Sequence, residues 1–180
     1  MATGFTTIGH SKRGLEEFLG MLREARVDLL IDVRSFPRSR TNPAYNIDRL
    51  PDELEPVQIS YRHCPDLGGR RNRQAGIDDD VNALWRVRSF HNYADYALGE
   101  TFGAAFETLV RLGGERRVAL MCAEAVWWRC HRRLIADYLL LNGHVVEHLM
   151  GPGQTDAAVA TPGAVRTEAG KVVYPAPTSG

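Results

Sequence analysis

The densest chemistry in the chain lies in Val118-Ala-Leu-Met-Cys-Ala-Glu-Ala-Val-Trp-Trp-Arg-Cys-His-Arg-Arg133, where a short apolar run empties into Cys122, Glu124, Cys130, His131, Arg129, Arg132 and Arg133. Val118 to Met121 are too few and too uniformly apolar for a helix, and a helix is expected from about Cys130, so the pattern is strand, loop, helix. Cys122 then sits at the carboxyl end of a strand, just before a helix amino terminus. Backbone N–H groups, the positive end of the helix dipole and the neighbouring arginines all favour a thiolate there. A thiolate is a nucleophile or a redox centre; the competing reading is a small apolar residue that finishes a buried strand. Cys130 is a candidate resolving thiol for Cys122. It is also a candidate metal ligand beside His131, with His63 and Cys64, although the spacing does not match the Cys-x₂₋₄-Cys pattern of structural zinc sites, and no metal is assigned.

Other residues could support a thiol. His10 is a candidate general base or a partner for a carboxylate. Asp32 is expected to accept backbone N–H bonds and pair with Arg34, bracing a loop. Glu124 divides between acid/base work and an ion pair to an arginine. Arg38, Arg129 and Arg132 are the expected receivers of an anionic substrate, because a guanidinium grips phosphate or carboxylate at two points. Arg40, Arg70, Arg71 and Arg73 would suit phosphate or a nucleic-acid backbone, or simply solvated loops. Trp127 and Trp128 either stack on a ligand ring or close a lid over the core.

The totals bound what such a site can belong to. The 180 residues suit one domain with one core. No apolar run reaches the roughly 20 residues of a membrane span, and the amino terminus lacks a basic segment followed by an apolar stretch, so a soluble cytoplasmic protein is expected, with no membrane partner. Net charge is zero, which argues against coating DNA or an anionic membrane by bulk electrostatics. Of the 22 cationic residues only Lys12 and Lys171 are lysines. The three cysteines are an odd count for a disulfide framework.

The elements that must position these groups alternate. Residues 5–9 read as a strand ending at His10-Ser11, with Ser11 as candidate cap of a helix carrying Leu15, Phe18, Leu19 and Leu22. Residues 29–33 form a second strand, apolar on both faces as in a covered parallel sheet. It discharges into Arg34 to Arg40, where Pro37 blocks a helix. A short helical piece is expected over 47–54, a third strand over 57–61, and a glycine-arginine loop over 66–76 as a mobile flap. Helices over 89–98 and 101–112 precede the strand at 118, and a helix to Leu141, stopped at Asn142-Gly143, leads to a last strand over 144–149. The α/β domain thus spans 1–150. Residues 151–180 read as a Gly/Pro/Ala-rich tail, with a short hairpin conceivable over 165–174.

This alternation predicts an α/β fold: a single three-layer Rossmann-like or rhodanese-like domain with a mostly parallel, roughly five-stranded sheet. Ligands bind such sheets at the carboxyl edge. His10-Ser11, Asp32 to Arg40, His63-Cys64 and Cys122 to Arg133 each follow a strand, so a parallel sheet would bring them to one rim.

Thr7-Ile-Gly-His-Ser11, Ile31-Asp-Val-Arg-Ser-Phe-Pro-Arg-Ser-Arg40, Leu67-Gly-Gly69, Tyr93-Ala-Asp95, Leu120-Met-Cys-Ala-Glu124 and Cys130-His-Arg-Arg133 occur in an order that resembles the bacterial and archaeal family known as domain of unknown function 488. The resemblance runs from about residue 5 to 150 and implies a compact α/β domain with these motifs in a shared pocket. More faintly, Glu16 through Arg34 and Val118 to Cys122 are similar to rhodanese and cysteine-phosphatase domains. In those families, N–H groups of the loop after the cysteine cradle a persulfide or phosphate. Here six residues separate Cys122 from Arg129, none of them glycine.

The leading expectation is a thiol-dependent enzyme, a transferase or hydrolase, acting on an anionic small molecule or nucleotide. Cys122, Cys130, His131, His10 and Glu124 would carry the chemistry, with Asp32, Arg34, Arg38, Arg129 and Arg132 around the substrate. The alternatives are a non-catalytic nucleic-acid or nucleotide binding module using the arginine loops, and a metal-dependent hydrolase using His10, His63 and Cys130-His131. Nothing in the sequence names a cofactor.

Overall fold

In the computed structural model, residues 4–178 are described. The chain runs β1 (Phe5–Gly9), α1 (Leu15–Glu24), β2 (Leu29–Asp32), α2 (Leu50–Leu54), β3 (Ser60–His63), α3 (Arg88–Ala97), α4 (Glu100–Glu115), β4 (Val118–Cys122), α5 (Arg132–Leu141), β5 (Val146–Gly151), β6 (Gln154–Ala157) and a small hairpin, β7 (Val165–Arg166) with β8 (Val172–Val173). The main sheet has six strands in the order β3-β2-β4-β1-β5-β6. All its pairings are parallel except β5 with β6. The expected five strands are therefore joined by a sixth, antiparallel one, in a mixed α/β architecture with helices on both faces.

Burial explains the order. Every residue of β2 and β4 is buried, as uninterrupted apolar runs covered on both faces must be. One face packs Ile8, Leu30, Ala119 and Met121 against Phe18, Met21 and Leu22 of α1 and Leu50 and Leu54 of α2. The other packs Phe5, Leu29, Ile31, Val118 and Leu120 against α3, α4 and α5 through Tyr93, Phe102, Leu109, Leu134 and Tyr138. Each fully buried large apolar side chain contributes about 1.5–3 kcal/mol. Because α1 follows β1 on one face and α5 follows β4 on the other, the chain parts in opposite directions from these adjacent strand ends. A crevice opens between them at the carboxyl edge.

Several local expectations change. Ser11 does not cap α1; the preceding position is Gly14, with no side-chain cap, and Ser11 adopts φ 45° while its N–H donates to the Ala123 carbonyl. The third strand starts at Ser60 rather than Val57, since residues 55–57 form a 3₁₀ turn and Gln58 is left-handed. The last helix starts at Arg132, after a 3₁₀ turn over Trp127–Arg129.

Composition also understates how the segment after Gly151 packs. Val172 and Tyr174 are fully buried, the Tyr174 hydroxyl donates to Asp137 Oδ2 at 2.7 Å, and its N–H donates to Asn82 Oδ1. The short hairpin conceived over 165–174 is present as β7 and β8. Two anchoring side chains and their polar partners on the body do what average composition does not display.

Candidate functional site at the carboxyl edge of the sheet

Parallel register brings the ends of four strands level, pairing Gly9 with Cys122, Asp32 with Met121, and Asp32 with His63. A cleft of about 590 Å³ opens there, lined by His10, Arg34, Arg38, Arg70, Cys122, Glu124, Arg129, Cys130 and His131 among others. Eight of the ten residues singled out from sequence thus face one space. Asp32 and Arg132 lie behind its wall, both fully buried. A second cleft, of about 460 Å³, lies at the opposite edge of the sheet and has no cysteine or histidine in its lining.

On the α1 side, Asp32 and Arg34 form a two-point ion pair, Nε to Oδ1 at 2.9 Å and Nη2 to Oδ2 at 2.7 Å. Tyr61 donates its hydroxyl to the same carboxylate, and Arg34 also holds the Tyr45 carbonyl. Arg34 is thus committed to bracing the loop. His10 Nδ1 lies 3.0 Å from the Ser11 carbonyl and Nε2 lies 3.3 Å from Arg34 Nη1. That pattern fixes the neutral tautomer with the proton on Nδ1. Burial, with the Arg34 charge adding to it against the Ser11 hydrogen bond, lowers the pKa of His10. The ring stacks on Tyr45, a residue that sequence reasoning passed over.

On the α5 side the thiols meet. The Cys122 Sγ lies 3.5 Å from the Glu124 carbonyl oxygen. Burial alone would raise the pKa of Cys122, yet the neighbouring Cys130 thiol, the Arg132 charge and the Glu124 backbone outweigh it and bring it below the ordinary thiol value. Cys130 moves the other way, pushed well up by burial and by Cys122. Of the two thiols Cys122 is therefore the more acidic, and Cys130 the one that holds its proton more tightly. Contrary to the sequence expectation, the thiol at the start of α5 is Cys130, whose Sγ accepts the Arg132 N–H at 3.5 Å. What reaches Cys122 is the side-chain charge of Arg132.

Cys130 Sγ also lies 3.5 Å from His131 Nδ1, while His131 Nε2 is 2.8 Å from the Val33 carbonyl. The backbone acceptor places the ring proton on Nε2 and leaves Nδ1 as an acceptor, an alternative to Cys122 for the single Cys130 S–H proton. Burial pushes the His131 pKa down to about 4, keeping the ring neutral. Gly69 backs this ring: a Cβ there would lie 2.5 Å from Nδ1. The Leu67-Gly-Gly69 string is thus part of the wall.

Arg132 is the least ordinary member. It is fully buried; Nη2 donates to the Ala125 carbonyl, whereas Nε and Nη1 meet no acceptor among the described residues. Nearby, His148 pairs with Thr7 Oγ1 at 2.6 Å and stacks on Trp127. Burial and the Arg132 charge push its pKa down to about 4. Thr7 and His148 were not singled out from sequence, although His148 falls in step with Val146 on the inward face of β5, which was the available signal. Trp127 thus serves as a cover, while Trp128 stays exposed.

The remaining candidates separate. Glu124 has an exposed carboxylate with no ion pair among the described residues, and it touches Cys122 only through its backbone. Arg38 pairs with Asp48 and Arg73 with Asp79 at the surface. Arg71 is structural, lying over the Tyr96 ring and binding the Gly68 and Pro65 carbonyls. That contact ties down the loop expected to be a flap. His63 Nε2 bonds the Arg34 carbonyl. Among the described residues no three His, Cys, Asp or Glu are grouped so as to hold a metal ion, and no helix is long and apolar enough to cross a membrane.

The end of β1 holds the thiol loop in place. A Cβ on Gly9 would stand 1.7 Å from the Glu124 carbonyl oxygen, the atom that touches Cys122. Gly9→Ala is expected to lower stability by about 2 kcal/mol or more, since backbone must move to make room. Urea midpoints check this, and an unchanged midpoint would show the contact to be soft.

A family model described as "Domain of unknown function DUF488" matches residues 14–139, more than half of the chain. No curated protein and no solved structure matches it.

Proposed function

Since the chain belongs to the family described as a domain of unknown function, DUF488, a description that carries no reaction, we propose one from the geometry: a thiol-dependent enzyme in which Cys122 attacks an anionic substrate held in the carboxyl-edge cleft. The observation that carries this reading is the buried Arg132 with two unpartnered donors. A guanidinium cannot shed its proton, and leaving its charge unpaired in the interior costs several kcal/mol. The charge that Arg132 can be paired with is the Cys122 thiolate, on which it acts. A fold that pays this much to keep one sulfur ionised at the wall of a cleft is suited to nucleophilic work.

The cleft favours an anion. Its lining has four arginines, Arg34, Arg38, Arg70 and Arg129, against the single carboxylate of Glu124. Arg34 and Arg38 are occupied by Asp32 and Asp48, which leaves Arg70 and Arg129, neither with a carboxylate partner among the described residues. Phe36 is 66% exposed on the same wall, with Arg70 over its ring at 5.3 Å. An exposed aromatic beside free guanidinium groups suits a nucleotide, base on ring and phosphate on arginine. The same surface supports the second reading, a nucleic-acid or nucleotide binding module. The crevice between the diverging ends of β1 and β4 fits an α/β arrangement of the Rossmann-like or rhodanese-like kind.

Charge-matched alkylation separates these readings. Cys122 should react with iodoacetate faster, relative to iodoacetamide, than free cysteine does, by roughly tenfold at low salt, because a cationic cleft concentrates anions. Arg70→Ala with Arg129→Ala should return the ratio to that of free cysteine. Peptide mass spectrometry after timed quenching reads it. A ratio already equal to that of free cysteine in the unaltered protein would remove the anionic-substrate reading, and nucleotide binding unchanged in Cys122→Ser without any enhanced alkylation would favour the binding module.

A further inference from the structure

The cleft holds two thiols, and nucleophilic attack by Cys122 needs only one. Cys130 is buried in the same cluster as Cys122 and within side-chain interaction range of it, accepts the Arg132 N–H and reaches His131 Nδ1 at 3.5 Å. Both residues line the cleft, which offers a small oxidant a path to them. We propose that Cys122 and Cys130 are a redox pair that hydrogen peroxide closes to a disulfide, with His131 passing on the Cys130 proton. This inference rests on the Cys122 thiolate of the preceding reading and is independent of the anionic substrate.

The steps balance. The Cys122 thiolate attacks one peroxide oxygen; an S–O bond forms, the O–O bond breaks, and the leaving hydroxide takes a proton from solvent. Cys122 is now a sulfenic acid, oxidised by two electrons, and the peroxide is reduced to water. Cys130 then attacks the Cys122 sulfur. Its proton goes to His131 Nδ1 and on to the hydroxide expelled as the S–O bond breaks, so a second water leaves and the S–S bond remains. His131 is suited to relay rather than store the proton, because Val33 fixes its tautomer and burial keeps it neutral. A dithiol reductant reverses the reaction by thiol exchange.

Selectivity among the three cysteines is the distinguishing feature. Cys64 is the more accessible one, yet burial raises its thiol pKa by more than the Arg62 charge and the Leu67 and Asp66 backbone lower it, whereas Cys122 moves down. Oxidation should therefore run against exposure.

The sequence supplies the readout. Trypsin cuts after Arg117, Arg129 and Arg132, so Val118–Arg129 and Cys130–Arg132 become separate peptides unless a disulfide joins them. Protein treated with one equivalent of hydrogen peroxide and digested without reductant should show these two peptides linked and Cys64 free. Cys130→Ser should stop at a sulfenic acid that dimedone traps on Cys122, and His131→Asn should slow linkage without slowing dimedone-trappable oxidation. Unlinked peptides with Cys122 driven to sulfinic acid, or Cys64 oxidised as fast as Cys122, would overturn the proposal. Fast alkylation of Cys122 with no linkage removes the redox pair alone; slow alkylation removes it together with the thiolate reading.

Discussion

Arg132→Met should slow alkylation of Cys122 near neutral pH by about tenfold while leaving the protein at least as stable at pH 6. The rate follows from the thiolate. An opposite charge within a few ångströms lowers a thiol pKa by about 1–3 units, so its loss cuts the thiolate fraction by about 10- to 1000-fold. The more basic sulfur is intrinsically more nucleophilic, with a Brønsted slope near 0.4–0.5, which restores about half of that loss on a logarithmic scale. The stability half is the less intuitive one. A buried guanidinium with Nε and Nη1 unpartnered is a liability whenever Cys122 is protonated, and methionine of similar reach replaces it with packing. Substituting such groups by apolar side chains is commonly neutral or stabilising by about 1–4 kcal/mol. Arg132→Lys should keep part of the rate, since it retains the charge. If Arg132 were instead paired for structural reasons, Arg132→Met would lose several kcal/mol and leave the alkylation rate where it was. Rates by mass spectrometry and urea midpoints on the same samples separate the two.

This part of the site was only half legible from sequence. That strand ends would gather His10, Asp32, Cys122 and Cys130 at one rim follows from uninterrupted apolar runs at 29–32 and 118–121, which force a covered parallel sheet. Asp32 bracing Arg34 is equally local, two residues apart on one loop. The role of Arg132 was not visible, because an arginine in a cationic cluster is expected at the surface, and only the packing of α5 against β4 buries it. Thr7 with His148 depends on register between β1 and β5, which fixes residues 141 apart opposite one another. The sixth strand was missed for a similar reason: Gln154–Ala157 is exposed throughout and polar up to Asp156, and its hydrogen bonds come from β5 rather than from any pattern of its own.

The buried histidines should make the protein acid-sensitive in a defined window. His131 and His148 are both held near pKa 4, below the 6.5 of a free imidazole. For groups lowered in the folded state, the stabilising effect is complete above the unfolded pKa and disappears as pH falls through the folded one. Stability should therefore hold above about pH 6.5 and drain away toward pH 4, by up to about 3 kcal/mol per ring. The two together are comparable with the whole stability of an ordinary domain, about 5–15 kcal/mol. His10, lowered as well, acts in the same sense. Asp137, whose pKa burial pushes up, works against them. His148 is the cleaner probe, because it is fully buried between Trp127 and Thr7 and lies outside the cleft lining. Protonation makes both ring nitrogens donors, so the Thr7 hydroxyl can only accept from Nδ1, and it sets a second positive charge near Arg132. His148→Gln keeps a polar partner for Thr7 and cannot titrate, so the difference between its urea midpoints at pH 7 and pH 4.5 should be clearly smaller than that of the unaltered protein. An equal difference in both proteins would mean that His148 stays neutral across this range or that its charge is accommodated at no cost.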